Sequence, residues 1–213
     1  MKIGFIGGTG DEGMGLAFRF ARAGHACIIG SRSAEKAQAA VAELLMKTPG
    51  LPLTAAVNAA ADGDIVVITT PYAAQADTLP PLAGALRGKV VVSTVVPMAF
   101  EQGRAFLLAV PEGSAAQQGQ ALLPGSTVVA AFQNLSAKKL LGDGPVEADV
   151  IVCADDAGAK REVMRLAEVI DGVRGVDGGP LANSSVVEGI TPLLVSINRT
   201  YKTQAGVRIA GIP

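Results

Sequence analysis

The chain has 213 residues, of which 49% are hydrophobic and 17% charged, and its formal net charge is −1. This length carries one large domain or a ligand-binding domain with a small appendage, and so neutral a chain gives no reason to expect nucleic acid as a partner. No stretch reaches the roughly eighteen uninterrupted apolar residues of a membrane helix, and a strand-like run opens the chain with no signal sequence, so a cytoplasmic protein is expected.

The first predicted strand, 2–6 (KIGFI), leads directly into a turn in which Gly8, Gly10 and Gly13 are spaced G-x-G-x-x-G, and a helix is predicted over 14–23. Strand, glycine turn and helix in that order make a grip for a dinucleotide. Gly8 permits the tight turn, Gly10 lets the backbone approach a pyrophosphate, and Gly13 lets the helix pack close to the strand with its first amides towards the phosphates. A plain glycine-rich turn is the alternative. The second strand, 26–29, ends where an Asp or Glu would bind the ribose 2′-hydroxyl of NAD. Here it is followed by Gly30, Ser31 and Arg32, with Lys36 one helical turn beyond Arg32. A hydroxyl, a guanidinium and an ammonium converge where NADP carries its extra phosphate, opposed only by Glu35, and NADP is predicted over NAD. The alternative leaves Arg32 and Lys36 as the solvated start of a helix.

A helix over 34–46 is closed by Pro49-Gly50. A short strand near 53–56 and a helical turn through Ala59 come next. Two apolar runs, 64–69 (DIVVIT) and 89–93 (KVVVS), then read as buried strands of a parallel sheet. Each ends in a proline loop, Thr70-Pro71-Tyr72 and Val95-Val96-Pro97. Loops at the carboxyl ends of parallel strands line the ligand crevice, so both are expected to wall the nicotinamide pocket. Beyond them a helix is predicted over 111–122, strands over 127–132 and 148–154, a helix over 157–170 and a short strand over 173–176. The last helix, near 184–201, sets Val186, Val187, Ile190, Leu193, Leu194 and Ile197 on one stripe, with Pro192 as a kink. That stripe is core, or the cover of a second subunit. The alternation predicts an α/β fold: a Rossmann-type, doubly wound, mainly parallel sheet with a small C-terminal extension that ends in a long helix. Residues 1–140 are expected to form the NADP-binding domain, and 141–213 a small part that packs on it and contributes to a homodimer.

Cys27 and Cys153 lie in apolar runs and read as buried thiols without a disulfide. His25 is the single histidine and reads as structural; neither cysteine belongs to a ligand pair, so no metal is expected. With a nicotinamide cofactor the expected chemistry is hydride transfer. Hydroxy-acid and sugar dehydrogenases use a His, a Lys or a Tyr-Lys pair as proton donor or acceptor beside the ring. The lone His25 precedes the second strand, and no Tyr-x-x-x-Lys occurs at Tyr72 or Tyr201. The β-hydroxyacid dehydrogenases and their imine-reducing relatives follow a similar nucleotide domain with a large all-helical one, whereas one long helix is predicted here after residue 180. A partner ring that exchanges hydride without a side-chain acid or base fits better, and no catalytic side chain is expected.

The opening IGGTGDEGMGLAFRFARAGHACIIGSR, the two proline loops, AAFQNLSA (130–137) and DGGPLANSSVVEGITPLLVSINR (177–199) together resemble the NADPH-dependent coenzyme F420 reductases over nearly the whole chain. The resemblance implies reversible hydride transfer between C5 of the 8-hydroxy-5-deazaflavin F420 and C4 of the nicotinamide, in a homodimer whose partners are small-molecule cofactors. It carries the family's phosphate loop onto Thr9, Gly10, Asp11 and Glu12, and its 2′-phosphate clamp onto Ser31, Arg32 and Lys36. It carries nicotinamide contacts onto Tyr72, Val96 and Ala137. The deazaflavin is expected over the nicotinamide, between the proline loops and residues 133–136, with the side-chain amides of Gln133 and Asn134 towards its carbonyls. The same segment also reads as a polar loop with Asn134 or Ser136 capping a helix. The family has a His where this chain has Gln133, which donates a hydrogen bond but takes no proton. The acids Asp11 and Glu12 are expected to face solvent. Two other functions stay open on the residues alone: an NADPH-dependent flavin, ferric-chelate or imine reductase, and a non-catalytic NADPH-binding regulatory module.

Overall fold

Runs of apolar, largely β-branched residues are stable as strands only where both faces are covered. The computed structural model, which describes residues 1–57 and 62–212, covers them in a six-stranded sheet. Its strands are β1 (Lys2–Ile6), β2 (Ala26–Ser31), β3 (Leu53–Val57), β4 (Ile65–Ile68) and β5 (Val90–Ser93). After a hairpin of β6 (Met98–Glu101) and β7 (Arg104–Leu107) comes the last, β8 (Thr127–Ala130). All neighbours pair in parallel in the order β3-β2-β1-β4-β5-β8. The direction of winding therefore reverses between β1 and β4, where Ile3 is in register with both Cys27 and Ile65. Such a reversal opens a crevice at the carboxyl ends of the strands.

Consecutive strand residues go to opposite faces, as a period of two requires. Phe5 and Val67 join Phe18, Phe20 and Phe132 in one core cluster, while Ile6, Val66 and Ile68 join Leu79, Leu86 and Val91 in the other. Helices α1 (Asp11–Arg22) and α2 (Ala34–Lys47) cover the first face. Helices α3 (Tyr72–Thr78), α4 (Ala83–Leu86) and α5 (Ala115–Leu122) belong to the second half of the sheet. The first cluster continues past residue 140 through Val150, Val152, Val163 and Leu166. These lie on β9 (Ala148–Val152) and α7 (Ala157–Glu168), which follow the single-turn α6 (Ala137–Leu140).

The strands predicted over 148–154 and 173–176 do not extend the main sheet. β9 and β10 (Val173–Asp177) pair with each other in parallel, joined to β8 by an antiparallel bridge between Ala130 and Cys153. Asp149, buried in β9, accepts hydrogen bonds from Arg174, Arg208 and the amide of Ile209, which holds the tail across this pair. The bond from Arg174 is the main reason its carboxyl is held down at about 2. Both cysteines are free and buried, and burial pushes their thiols up to about 12 (Cys27) and about 11 (Cys153). The last helix, α8 (Ser184–Tyr201), has the predicted bounds, but its stripe divides. Val187 and Leu194 are buried, whereas Val186 and Leu193 are 69% and 59% exposed. The hairpin β6–β7 and helix α3 were not predicted, and the turn through Ala59 lies outside the described residues. Among the described residues no helix is long and apolar enough to cross a membrane.

Candidate functional site

The chain leaves β1 at Ile6 and enters α1 at Asp11. Gly7 makes the tight turn expected of Gly8: its φ is +75°, and a Cβ there would lie 2.7 Å from Thr70 Cγ2. Gly8 instead supports the turn from beneath, its amide donating to the Gly30 carbonyl at 3.0 Å. Gly13 sets the helix against the turn, since a Cβ would meet Gly8 Cα at 2.7 Å. Gly10 differs from all three. A Cβ on it would meet nothing within 4 Å, and as the N-cap of α1 it offers no side chain to the first amides of the helix.

Just ahead of that helix start lies a cleft of about 630 Å³, lined by Gly7, Thr9 and Gly10 of the turn. The cleft continues past Ser31, Arg32, Ser33 and Lys36 at the end of β2 and is closed on the far side by Thr69, Thr70 and Pro71, with Asp77, Thr78 and Leu82 beyond. Ser33 organises the basic end. Its hydroxyl caps α2 at Lys36 N and donates to Glu35 at 2.6 Å, and its amide donates to Ser31 Oγ at 3.2 Å. That bond from Ser33 holds the Glu35 carboxyl below its usual value and keeps it occupied locally. Among the described residues, neither Arg32 nor Lys36 has an ion pair. Two cations therefore border the cleft with no acidic partner, an arrangement suited to a phosphate.

Of the residues predicted from sequence, Thr9, Gly10, Ser31, Arg32, Lys36, Thr70 and Pro71 come together on this cleft. Asp11 is exposed, as expected, but Glu12 is not: one carboxyl oxygen is wholly buried and has no hydrogen bond. Tyr72 begins α3 and packs against the second core cluster, its hydroxyl accepting from Gln118 Nε2 at 3.4 Å. Val96 and Pro97 tie the base of the hairpin, where Leu108 N donates to the Pro97 carbonyl at 2.6 Å. Gln133, Asn134 and Ala137 line a separate recess of about 190 Å³ shared with Thr191, Asn198 and Gln204. Within it the amide nitrogen of Asn134 is already used, donating to the Val187 carbonyl at 3.0 Å and to Thr191 Oγ1 at 3.1 Å. Asn134 is thus a strut between β8 and α8. Ser136, as the alternative for this loop supposed, caps α6 at Lys139 N. Gln133 donates to the Ser93 carbonyl at 3.2 Å, which leaves its Oε1 without a partner.

The buried side-chain oxygens that lack a partner among the described residues are those of Glu12, Thr70, Gln75, Ser93 and Gln133. Thr70, Ser93 and Gln133 stand at or just beyond the carboxyl ends of β4, β5 and β8. Sequence reasoning gave the tight turn to Gly8 where Gly7 makes it, and missed the parts played by Gly30, Ser33 and the wall formed by α3. The doubled Gly7-Gly8 signalled the first; nothing local signalled the wall.

A parallel sheet with this strand order, a glycine turn below a helix without a side-chain cap, and two cations after β2 that form no ion pair among the described residues define a Rossmann-type dinucleotide-binding protein. The chain belongs to the coenzyme F420-dependent NADP oxidoreductases. The family described as NADP oxidoreductase, coenzyme F420-dependent, matches residues 2–97. The F420-dependent NADP reductase of Methanocaldococcus jannaschii is 42% identical over 222 residues, covering 100% of this chain and 99% of that one. That of Methanothermobacter thermautotrophicus is 43% identical over 223 residues, covering 100% and 96%. A solved protein of Arthrobacter sp. FB24, proposed as an F420-dependent NADP reductase, superposes with a TM-score of 0.85 at 27% identity over 99% of each chain.

Proposed function

We propose that this protein is an oxidoreductase that carries hydride reversibly between NADP(H) and coenzyme F420. The observation that carries the nucleotide half is the cleft itself: uncapped helix amides at one end, and unpaired Arg32 and Lys36 at the other. The open side of Gly10 lets a pyrophosphate lie against the backbone there. Ser31, Arg32 and Lys36 hold the 2′-phosphate, and Thr70 and Pro71 wall the nicotinamide. The nicotinamide, when bound, supplies a hydride at C4. Gln133 Oε1, unpartnered among the described residues, belongs to the recess of Gln133, Asn134 and Ala137 and favours placing the deazaflavin there. The side chains' part is alignment of two rings, with proximity supplying the rate. Mixing the protein with NADPH and oxidised F420 should bleach the deazaflavin absorbance; bleaching of FMN or FAD with none of F420 would reject the assignment.

The same reading includes a homodimer. Phe100, Phe106 and Leu107 of the hairpin are 63%, 41% and 41% exposed, and Leu107 packs beside Gly189 of α8, next to exposed Val186 and Leu193. An apolar face of this kind is suited to a second copy of the chain. A monomer in light scattering at micromolar concentration would remove this part.

A further inference from the structure

Glu12 stands just past Gly10 in the first turn of α1, and none of the described residues bonds to its carboxyl. Glu12, Gly15 and Arg19 share one stripe of the helix. Gly15 abuts Leu140, and Arg19 donates to the carbonyls of Leu140, Lys139, Gly142 and Gly144 at 2.7–2.8 Å. The stripe therefore faces α6, with Glu12 at its head, next to the glycine turn. One carboxyl oxygen is shut off from water there.

Among the described residues no charge compensates it. On α1, Asp11 is exposed, Arg19 is engaged with carbonyls and Arg22 pairs with Asp143. On α6, Lys138 is exposed and Lys139 partly so. On α2, Glu35 is bonded to Ser33, Lys36 lines the cleft, and Lys47 bonds the Leu141 carbonyl and pairs with Asp143; Glu43 is exposed, and β2 carries no charge. Burial alone acts on Glu12, and it pushes the carboxyl up to about 8. A pyrophosphate at the N-terminus of α1 would bring negative charge beside the same carboxyl. Two anions in one poorly solvated place repel, and the repulsion is relieved when the carboxyl takes a proton.

We propose that NADP(H) binds together with a proton, taken from solvent by Glu12, so that the pyrophosphate is received beside a neutral acid. This rests on the cleft being the dinucleotide site. The balance is simple: carboxylate, proton and nucleotide enter, and the complex holds a carboxylic acid that is now a hydrogen-bond donor.

The test is calorimetry of NADPH binding to the full chain at pH 8.5 in phosphate and in Tris, which differ in ionisation enthalpy. The 2′-phosphate, with a second pKa of about 6, is fully ionised at that pH and contributes no proton. The expected result is a buffer-dependent enthalpy that reports uptake of most of one proton, with affinity falling by up to about tenfold per pH unit above pH 8. Glu12→Gln should bind NADPH with no buffer dependence and more tightly than the parent at pH 9. NADPH binding by the parent without proton uptake would overturn the proposal, whether or not the variant folds, and so would uptake that persists in Glu12→Gln. A parent that binds no NADPH at any pH overturns the dinucleotide site itself, and the proposal with it.

Discussion

Two helices in this molecule begin beside a glutamate shielded from water, Glu188 wholly and Glu12 in part, and they treat their N-terminal amides in opposite ways. At α5, Ser114 caps Gln117 N, while both oxygens of Glu188, reaching across from α8, accept from Ala115 N at 2.8 Å and Ala116 N at 3.0 Å. At α1 the cap is a glycine, and Glu12 bonds to none of the described residues. Burial raises both carboxyls, but the two amides pull Glu188 back, to about 7, while Glu12 is left at about 8. A helix N-terminus is an anion-binding resource. At α5 it fastens the last helix to the sheet; at α1 it is left for a ligand. What marks the second as a grip is that the protein's own acids do not fill it.

The largest effect should come from breaking the open end. Arg32→Ala combined with Lys36→Ala removes two charged donors, each worth about 1.5–3 kcal/mol where it meets a phosphate. NADPH affinity should fall by at least about a hundredfold in titrations that leave NADH binding unchanged. Equal losses for both nucleotides would place these cations outside the 2′-phosphate site.

Breaking the filled end should act on stability instead. Glu188→Ala strands two buried amides, at about 1–3 kcal/mol for each. Thermal unfolding should move down by roughly 5–15 °C, given about 2–4 °C per kcal/mol for a chain of this size. Glu188→Gln, which keeps one acceptor, should lose less; an unchanged Tm in Glu188→Ala would mean that this contact does not hold α8. The turn glycines sharpen the contrast at a smaller scale. Gly10→Ala meets open space and should leave Tm within about 1–2 °C, while a methyl against the pyrophosphate weakens NADPH by roughly tenfold. Gly13→Ala puts a methyl into the backbone of Gly8 and should lower Tm as well.

Much of the open end was legible in the sequence because its parts are local. Strands β1, β2, β4 and β5 are short apolar runs, the glycine spacing sits between β1 and α1, and Ser31, Arg32 and Lys36 are separated by a single helical turn. The filled end depends on long-range contacts and was read only in outline. The segment Glu188-Gly189-Ile190-Thr191 belongs to the stretch that resembles the family, yet its physical work needs partners far away: Glu188 caps α5, and Thr191 donates to the Gln133 carbonyl while accepting from Asn134. Periodicity could not divide the stripe of α8 into buried Val187 and exposed Val186, because the division is set by where β7 and β8 lie. The hairpin was missed because its turn, Gln102-Gly103, has both residues at positive φ without the Asn-Gly or Asp-Gly pair that usually announces one. Glu12 was misplaced for a similar reason: that α6 would cover this side of α1 is not visible in a helix start.

The smallest expected effect separates the two glutamates by pH. Each has a folded value above the ordinary 4.5, so the folded protein holds their protons more tightly than the unfolded chain. Their contribution to stability is therefore complete below pH 4.5 and is lost as pH rises, for Glu188 until about 7 and for Glu12 until about 8. His25, lowered mainly by burial, acts in the opposite sense but only below its ordinary 6.5. The depressed Asp149, Asp177 and Glu35 act lower still. Between pH 7 and 8 Glu12 should supply the larger part of the slope and Glu188 the smaller. One proton bounds that slope at about 1.4 kcal/mol per pH unit, and Glu12 is only half-buried, so a fall in Tm of roughly 1–4 °C across the interval is expected. Glu12→Gln should remove more of it than Glu188→Gln does. The reverse pattern would exchange the roles of the two carboxyls, making the filled helix end the one that resists charge and the open end the one that welcomes it.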